Sequence, residues 1–424
     1  MGTRSGTASL PLHGGRVPRW LATRMATLGA AITEVIVIRE GRAGFLQRLS
    51  DPFWFQAFGA VLGMDWHSSG ITTSVVGALK RGLGPRAAEL GLHVCGGRGR
   101  HSRRTPDELL AVADRTGLDG EALVRASKLT AKVDNTAMQD GFQLYLHAFV
   151  VGDDGEWVVI QQGMNGEARQ ARRYHWRSAA VRSFVDEPHD AVVGAPQGAI
   201  VNLTDRRALA ARDVSVGLLE ESPDAVVDEL RRITTGRLLQ LPSHHEVRAS
   251  DVFLRRLHGV LATARDGGVA GFEDLLLTRG LGPRTMQAIA LVAEVAHGAP
   301  SRFDDPARFA FAHGGKDGHP FPVPLRVYDR TIEALRQAVD RARVGRSDKV
   351  EALQRLDRRA RELERLASGP SFDEIMDDEW RRSPARGGMT VLGPAGPEVD
   401  QQVRGGASPG PPRPRQLGLF GVGS

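Results

Sequence analysis

The sequence predicts an α+β protein, predominantly helical, with a small antiparallel sheet in its middle and a disordered tail. Three observations carry this expectation. Helical spacing of apolar residues dominates both ends of the folded part, a strand-like block interrupts it between Phe142 and Trp176, and Pro and Gly crowd the chain beyond Gly369. The same shifts divide the 424 residues into an α+β part over 1–205, a helical part over 206–368 and a tail over 369–424.

Each element follows from its own residues. Pro18 opens a segment in which Leu21, Met25, Leu28, Ile32 and Val35 recur at helical spacing, so 17–40 reads as one long amphipathic helix. Between 70 and 135 helix starts are written at Thr105-Pro106-Asp107-Glu108 and at Asp119-Gly120-Glu121, with a Gly/Arg-rich loop between helices. Phe142–Val151 and Trp157–Gln162 are β-branched and aromatic, and Asp153-Asp154-Gly155 between them signals a hairpin. Arg172–Trp176 and Ala199–Leu203 are expected to add a third and a fourth strand. From 206 the pattern is helical again, ending in a charged helix over 346–368. A short helix over 371–381 is expected within the tail.

Composition narrows the function classes. Arginine carries most of a formal charge of +6 with a pI near 9.9, which favours a polyanionic partner. One cysteine, Cys95, excludes an internal disulfide framework and a Cys-rich zinc site. No segment approaches eighteen uninterrupted apolar residues and no signal-peptide core precedes the first turns, so no membrane role is expected. A cytoplasmic, nucleoid-associated location follows, in a bacterium by the Ala, Gly and Arg bias; the oligomeric state is left open.

Candidate chemistry concentrates between Lys132 and His175. Lys132, Asp134 and Asp140 precede a strand whose Gln143, Tyr145 and His147 share one face, and Gln161, Arg172, Arg173, Tyr174, His175 and Trp176 follow on the next strands. Such groups suit a nuclease or nucleotide-processing pocket. Asp134 and Asp140 would hold a divalent ion, Mg²⁺ or Mn²⁺; Lys132 would neutralise phosphate charge; His147 or His175 would move a proton, with Gln161 beside them. The carboxylate-x-lysine pair common in metal-dependent nucleases is missing.

Gly280-Leu281-Gly282-Pro283-Arg284 between Phe272–Leu277 and Thr285–Val295 has the pattern of a helix-hairpin-helix over 270–300. Its amides would hold a DNA phosphate without reading bases, with Arg284, Arg172, Arg173 and Lys316 adding positive charge. The earlier Arg81-Gly82-Leu83-Gly84-Pro85-Arg86 reads as a plain turn, because Leu90-Gly91 interrupts the helix after it. Gly298-Ala299-Pro300 followed by Asp304-Asp305 resembles the loop and aspartate of helix-hairpin-helix DNA glycosylases, which makes Asp305 an alternative catalytic residue. Arg284 stands where lyase-competent relatives carry a lysine, so lyase chemistry is not expected there. Other polar motifs are Asp65-Trp66-His67-Ser68-Ser69-Gly70, read as a helix cap, the loops His13-Gly14-Gly15 and Gly96-Gly97-Arg98-Gly99-Arg100, and His313-Gly314-Gly315-Lys316-Asp317-Gly318-His319-Pro320, read as a turn.

In the tail, Gln416-Leu417-Gly418-Leu419-Phe420 resembles the pentapeptide by which bacterial repair and replication proteins dock on the DNA sliding clamp, with Gln416, Leu417, Leu419 and Phe420 as anchors. Arg4-Ser5-Gly6, Leu10–Gly15, Asp65–Gly70, Lys132-Val133-Asp134, Gln161–Asn165 and Phe311–Gly318 together resemble an uncharacterised prokaryotic family, DUF763, over roughly 4–345. That resemblance carries no activity. The leading expectation is a clamp-tethered, metal-dependent repair nuclease acting on DNA. The alternatives are a DNA glycosylase, a non-catalytic DNA-binding accessory and a structured-RNA-processing protein.

Overall fold

A computed structural model describes residues 19–64, 69–235 and 254–307, short stretches between 334 and 354, and two-residue strands within 389–394. The chain divides into two units, Met1–Leu363 and Glu364–Ser424. In the second, Met389–Thr390 pairs with Gly393–Pro394.

In the first unit, helix α1 (Arg19–Ser50) is followed by α2 (Pro52–Val61) and α3 (Gly70–Leu83). Helical spacing is continued past residue 40, but Gly41 at φ +75° leaves the helical region and breaks α1 there. Asp51 starts α2 by accepting from the Phe53 and Trp54 amides at 2.8 and 3.2 Å, with Pro52 in the first helical position. Apart from its Gly41 break, α1 is long and apolar enough to cross a membrane, yet its Met25, Leu28, Ile32, Phe45 and Leu49 are buried against α2 and α3.

The hexapeptide 81–86 ends α3 in a 3-10 turn, continued by the one-turn helix α4 (Ala87–Leu90). Arg86 there is bound to Glu34 and Glu89, as suits a plain turn. Helices α5 (Thr105–Thr116) and α6 (Gly120–Lys132) begin where their start signals stand, Asp119 accepting from the Ala122 amide at 2.9 Å.

The sheet has five antiparallel strands in the order β1-β3-β4-β5-β6. These are β1 (Leu92–Arg98), β3 (Gln143–Gly152), β4 (Trp157–Asn165), β5 (Gln170–Arg177) and β6 (Ala191–Val193). Three match the expected strands. β1 was concealed by Gly96 and Gly97, residues that depress strand propensity, and β6 by being only three residues long. The expected strand over 199–203 is a two-residue β7 (Val201–Asn202) that pairs with β2 (Met138–Gln139) outside the main sheet.

Both faces of the sheet are covered. Val150, Val158, Ile160, Ala171 and Val193 pack with α1–α3. Phe149, Val159, Tyr174, Trp176 and Val192 pack toward α5, α6 and five later helices. Those are α7 (Leu209–Gly217), α8 (Pro223–Thr235), α9 (Leu254–Asp266), α10 (Phe272–Leu277) and α11 (Pro283–Val295). One apolar cluster therefore runs across residue 205, joining the sheet to the helical part.

Candidate functional site

The predicted polar groups fall into two networks on the α6 face of the sheet and a third on the opposite face. A π-helical turn, Val133–Ala137, ends α6 and carries Asp134 fully buried beneath the sheet. His147, Gln161 and Tyr174 are directly opposed on three neighbouring strands. Ser127 donates to His147 Nε2 at 2.9 Å, His147 Nδ1 donates to Gln161 Oε1 at 2.8 Å, and Gln161 Nε2 donates to Asp134 at 2.5 Å. Trp176 Nε1 at 3.0 Å and His189 Nε2 at 2.5 Å complete the donors to Asp134. Burial pushes the Asp134 carboxyl up against the opposing pull of His189, and holds His147 neutral, down to about 4.

Asp140 heads the second network. It accepts from Arg172 at 2.9 Å, from the Tyr174 hydroxyl at 2.7 Å and from the Phe142 amide at 3.0 Å. Arg172 also grips Asp305 through two bonds, 2.6 and 3.0 Å, while the Gln197 and Ala307 amides donate to the same carboxylate. Burial opposes the Arg172 charge, but its two carboxylates and Tyr174 more than offset that and raise it overall. Asp305 is thus tied into the sheet by a bidentate ion pair.

Arg173 and His175 point to the α2–α3 side, away from both aspartates. Arg173 Nε donates to His175 Nε2 at 2.8 Å and Nη1 to Gln56 at 3.0 Å; the guanidinium lies 4.5 Å from the Phe55 ring centroid. Burial without a carboxylate partner among the described residues brings Arg173 down to about 9, and burial with the neighbouring Arg173 charge takes His175 well below its usual range. Arg172 and Arg173 are both fully buried, so neither stands ready to meet a DNA backbone as the sequence suggested. Tyr145 also leaves its expected row: a bulge between Leu144 and Leu146 sets it beside Val76, Leu146 and Ala148.

Lys132 faces the α10–α11 turn, where it donates to the Leu281 carbonyl at 2.5 Å; burial, helped by Arg256, lowers its pKa. Gln139 donates to the Pro283 carbonyl at 2.9 Å and Arg256 to the Gly280 carbonyl at 3.2 Å. Gly280 sits at φ +88°, a left-handed position that the bend requires of glycine. Two carbonyls of the turn and that of the first α11 residue are thereby held, while Arg279 and Arg284 stay exposed.

The model of a family described as "Protein of unknown function (DUF763)" matches residues 6–323. The chain belongs to this family. No curated protein and no solved structure matches it. The DUF763 region includes both aspartate networks and the α10–α11 turn.

As arranged, Asp134 and Asp140 do not fit a shared divalent ion. Every oxygen of the pair already accepts an N–H or O–H, and Arg172 supplies the positive charge at Asp140. The one group of three ligand-type side chains near one another among the described residues is elsewhere, Glu221, Glu229 and His297, within 4.8 Å. His297 Nε2 there lies 3.3 Å from Glu229 Oε2, so a hydrogen bond accounts for the contact.

Ser127, His189 and Gln197 were missed by sequence reasoning. His189 sits in an irregular segment with no local motif, and Ser127 is an ordinary helix residue until α6 packs on the sheet. Asp65 to Ser68, His13 to Gly15, His313 to Pro320 with Lys316, and the Gln416 to Phe420 peptide lie outside the described residues. Ser69, expected among the caps of α3, gives no side-chain cap, and its carbonyl accepts from Gln162 at 3.2 Å.

Proposed function

We propose that this protein binds DNA through the turn Thr278–Gly282 and the start of α11, holding the sugar-phosphate chain without reading bases, and acts as a DNA-processing accessory factor. The observation that carries it is the orientation of that turn. Lys132, Arg256 and Gln139 hold the carbonyls of Leu281, Gly280 and Pro283, and among the described residues no side chain caps the first amides of α11, whose N-cap is Gly282. A helix start whose amides lack a cap, flanked by exposed Arg279 and Arg284, suits a phosphate group.

An accessory role is preferred over cleavage at Asp134 and Asp140 or base release at Asp305, because each of those routes needs a carboxylate oxygen open to a cation or substrate. Asp134, Asp140 and Asp305 are each occupied by protein donors. The Gln416–Phe420 peptide supports recruitment to the sliding clamp, since an extended segment with apolar anchors orders only on binding and serves as a weak tether.

The test is fluorescence anisotropy of the full chain on labelled duplexes of unrelated sequence, followed by incubation with nicked, branched and damaged DNA in Mg²⁺, Mn²⁺ or EDTA. Salt-dependent, sequence-independent affinity, lowered by Arg279→Gln with Arg284→Gln, is expected without turnover. EDTA-sensitive strand cleavage would replace the accessory role by a nuclease. Metal-independent base release would replace it by a glycosylase.

A further inference from the structure

Between β1 and α5 the chain makes a 3-10 turn, Gly99–Arg104, that with Arg98 before it concentrates cations within seven residues. Arg98, Arg100, His101, Arg103 and Arg104 are all exposed. None of the four arginines meets a carboxylate among the described residues, whereas Arg42, Arg48, Arg86, Arg125 and Arg207 each do. The acids nearest in sequence do not cancel the charge: Glu108 is spent on Lys80 at 2.6 Å and on the Gly96 amide at 2.7 Å, which leaves exposed Asp107.

The turn is also preorganised. Thr105 Oγ1 donates to the Ser102 carbonyl at 2.8 Å and Ser102 Oγ to the Gly99 carbonyl at 2.6 Å. Gly96, at φ +82°, lies so close to β3 that a Cβ there would meet the His147 carbonyl oxygen at 2.3 Å. Arg98 extends over the half-buried Tyr145, 5.9 Å from the ring centroid. Four guanidiniums without an acid among the described residues, one at the end of β1 and three on the fixed turn after it, with an aromatic beside them, form a surface for a polyanion carrying stackable rings.

Its position connects it to the α10–α11 turn. The link Gly117–Asp119 folds α6 back along α5, against which it packs. The start of α5, next to the arginines, therefore lies at the same end of the helix pair as Lys132, which holds the Leu281 carbonyl. We infer that Arg98–Arg104 is a second contact for the sugar-phosphate backbone of DNA, at the same end of the fold as the α11 start. The inference shares its ligand with the proposed function and none of its residues.

The experiment measures DNA affinity against salt for the full chain, for Arg98→Gln with Arg100→Gln, Arg103→Gln and Arg104→Gln, and for Arg279→Gln with Arg284→Gln. Because each lost phosphate contact removes about 0.9 from the log–log salt slope, the fourfold variant should lose roughly 2 to 4 from that slope. Its affinity at low salt should fall about 10-fold or more, with an unchanged melting temperature. The milder Arg100→Gln with Arg103→Gln pair should fall in between. Wild-type affinity and slope in the fourfold variant would overturn the inference, and weakening by the Arg279/Arg284 pair alone would leave the proposed function standing. The opposite pattern would keep this contact and remove the α11 one. Stronger competition by matched RNA would overturn the assignment to DNA, and a wild-type chain that ignores DNA would remove both readings.

Discussion

Replacing Asp305 by alanine separates its structural role from the catalytic one that its sequence position suggested. The substitution removes two charge-assisted bonds from Arg172, 2.6 and 3.0 Å, and the acceptor of the Gln197 and Ala307 amides, 2.7 and 2.9 Å. Arg172 is fully buried and keeps Asp140, so one of its two carboxylates survives. Removing one partner of a buried ion pair typically costs about 3–5 kcal/mol, and the remaining Asp140 places the expected loss near the lower end. Urea unfolding followed by tryptophan fluorescence reads it, since Trp157 and Trp176 are buried in the apolar cluster on the same face of the sheet. Asp305→Asn, which keeps the shape and one carbonyl acceptor, should lose less. A loss under about 1 kcal/mol, the scale of an exposed pair, would refute the reasoning. If Asp305→Asn also abolished base release at unchanged stability, the carboxylate would return to the chemistry.

Three further outcomes are expected. His147 is held neutral, near 4, against an unfolded value near 6.5, so the unfolded chain binds the proton first as the solution is acidified. Its contribution is fully present above pH about 6.5 and is lost toward pH about 4 at roughly 1.4 kcal/mol per unit; unfolding at several pH values should show a shallower decline in His147→Gln. Gly96→Ala, at φ +82° with contacts of 2.3 and 2.4 Å awaiting its methyl, should destabilise by more than about 1 kcal/mol, as thermal melting would report. Leu419→Ala with Phe420→Ala should abolish retention on immobilised sliding clamp at unchanged circular dichroism; unaltered retention would remove the tether.

Much of the scaffold could be read in advance because its signals are local. Asp119 caps α6, Asp153-Asp154-Gly155 turns β3 into β4, and Gly280 bends the chain before α11, each by a preference of a few adjacent residues. The candidate site was legible only in its membership. Asp134, His147 and Gln161 were grouped by nearness along the chain, and the structure joins them; Arg173 and His175 were grouped with them and lie behind the sheet. Alternation along β5 explains the division, since Arg172, Tyr174 and Trp176 face one side and Arg173 and His175 the other.

The sequence by itself determined that the chain folds as helices around a small antiparallel sheet and carries excess arginine. These are matters of period, turn chemistry and composition. Only the tertiary structure decided which charges are spent and which remain. Asp305 meets Arg172 across 133 residues and Lys132 meets the Leu281 carbonyl across 149, whereas the arginines of 98–104 meet no acid among the described residues. Ion pairing and desolvation depend on distances of a few ångströms between groups far apart in the chain, which no local pattern records.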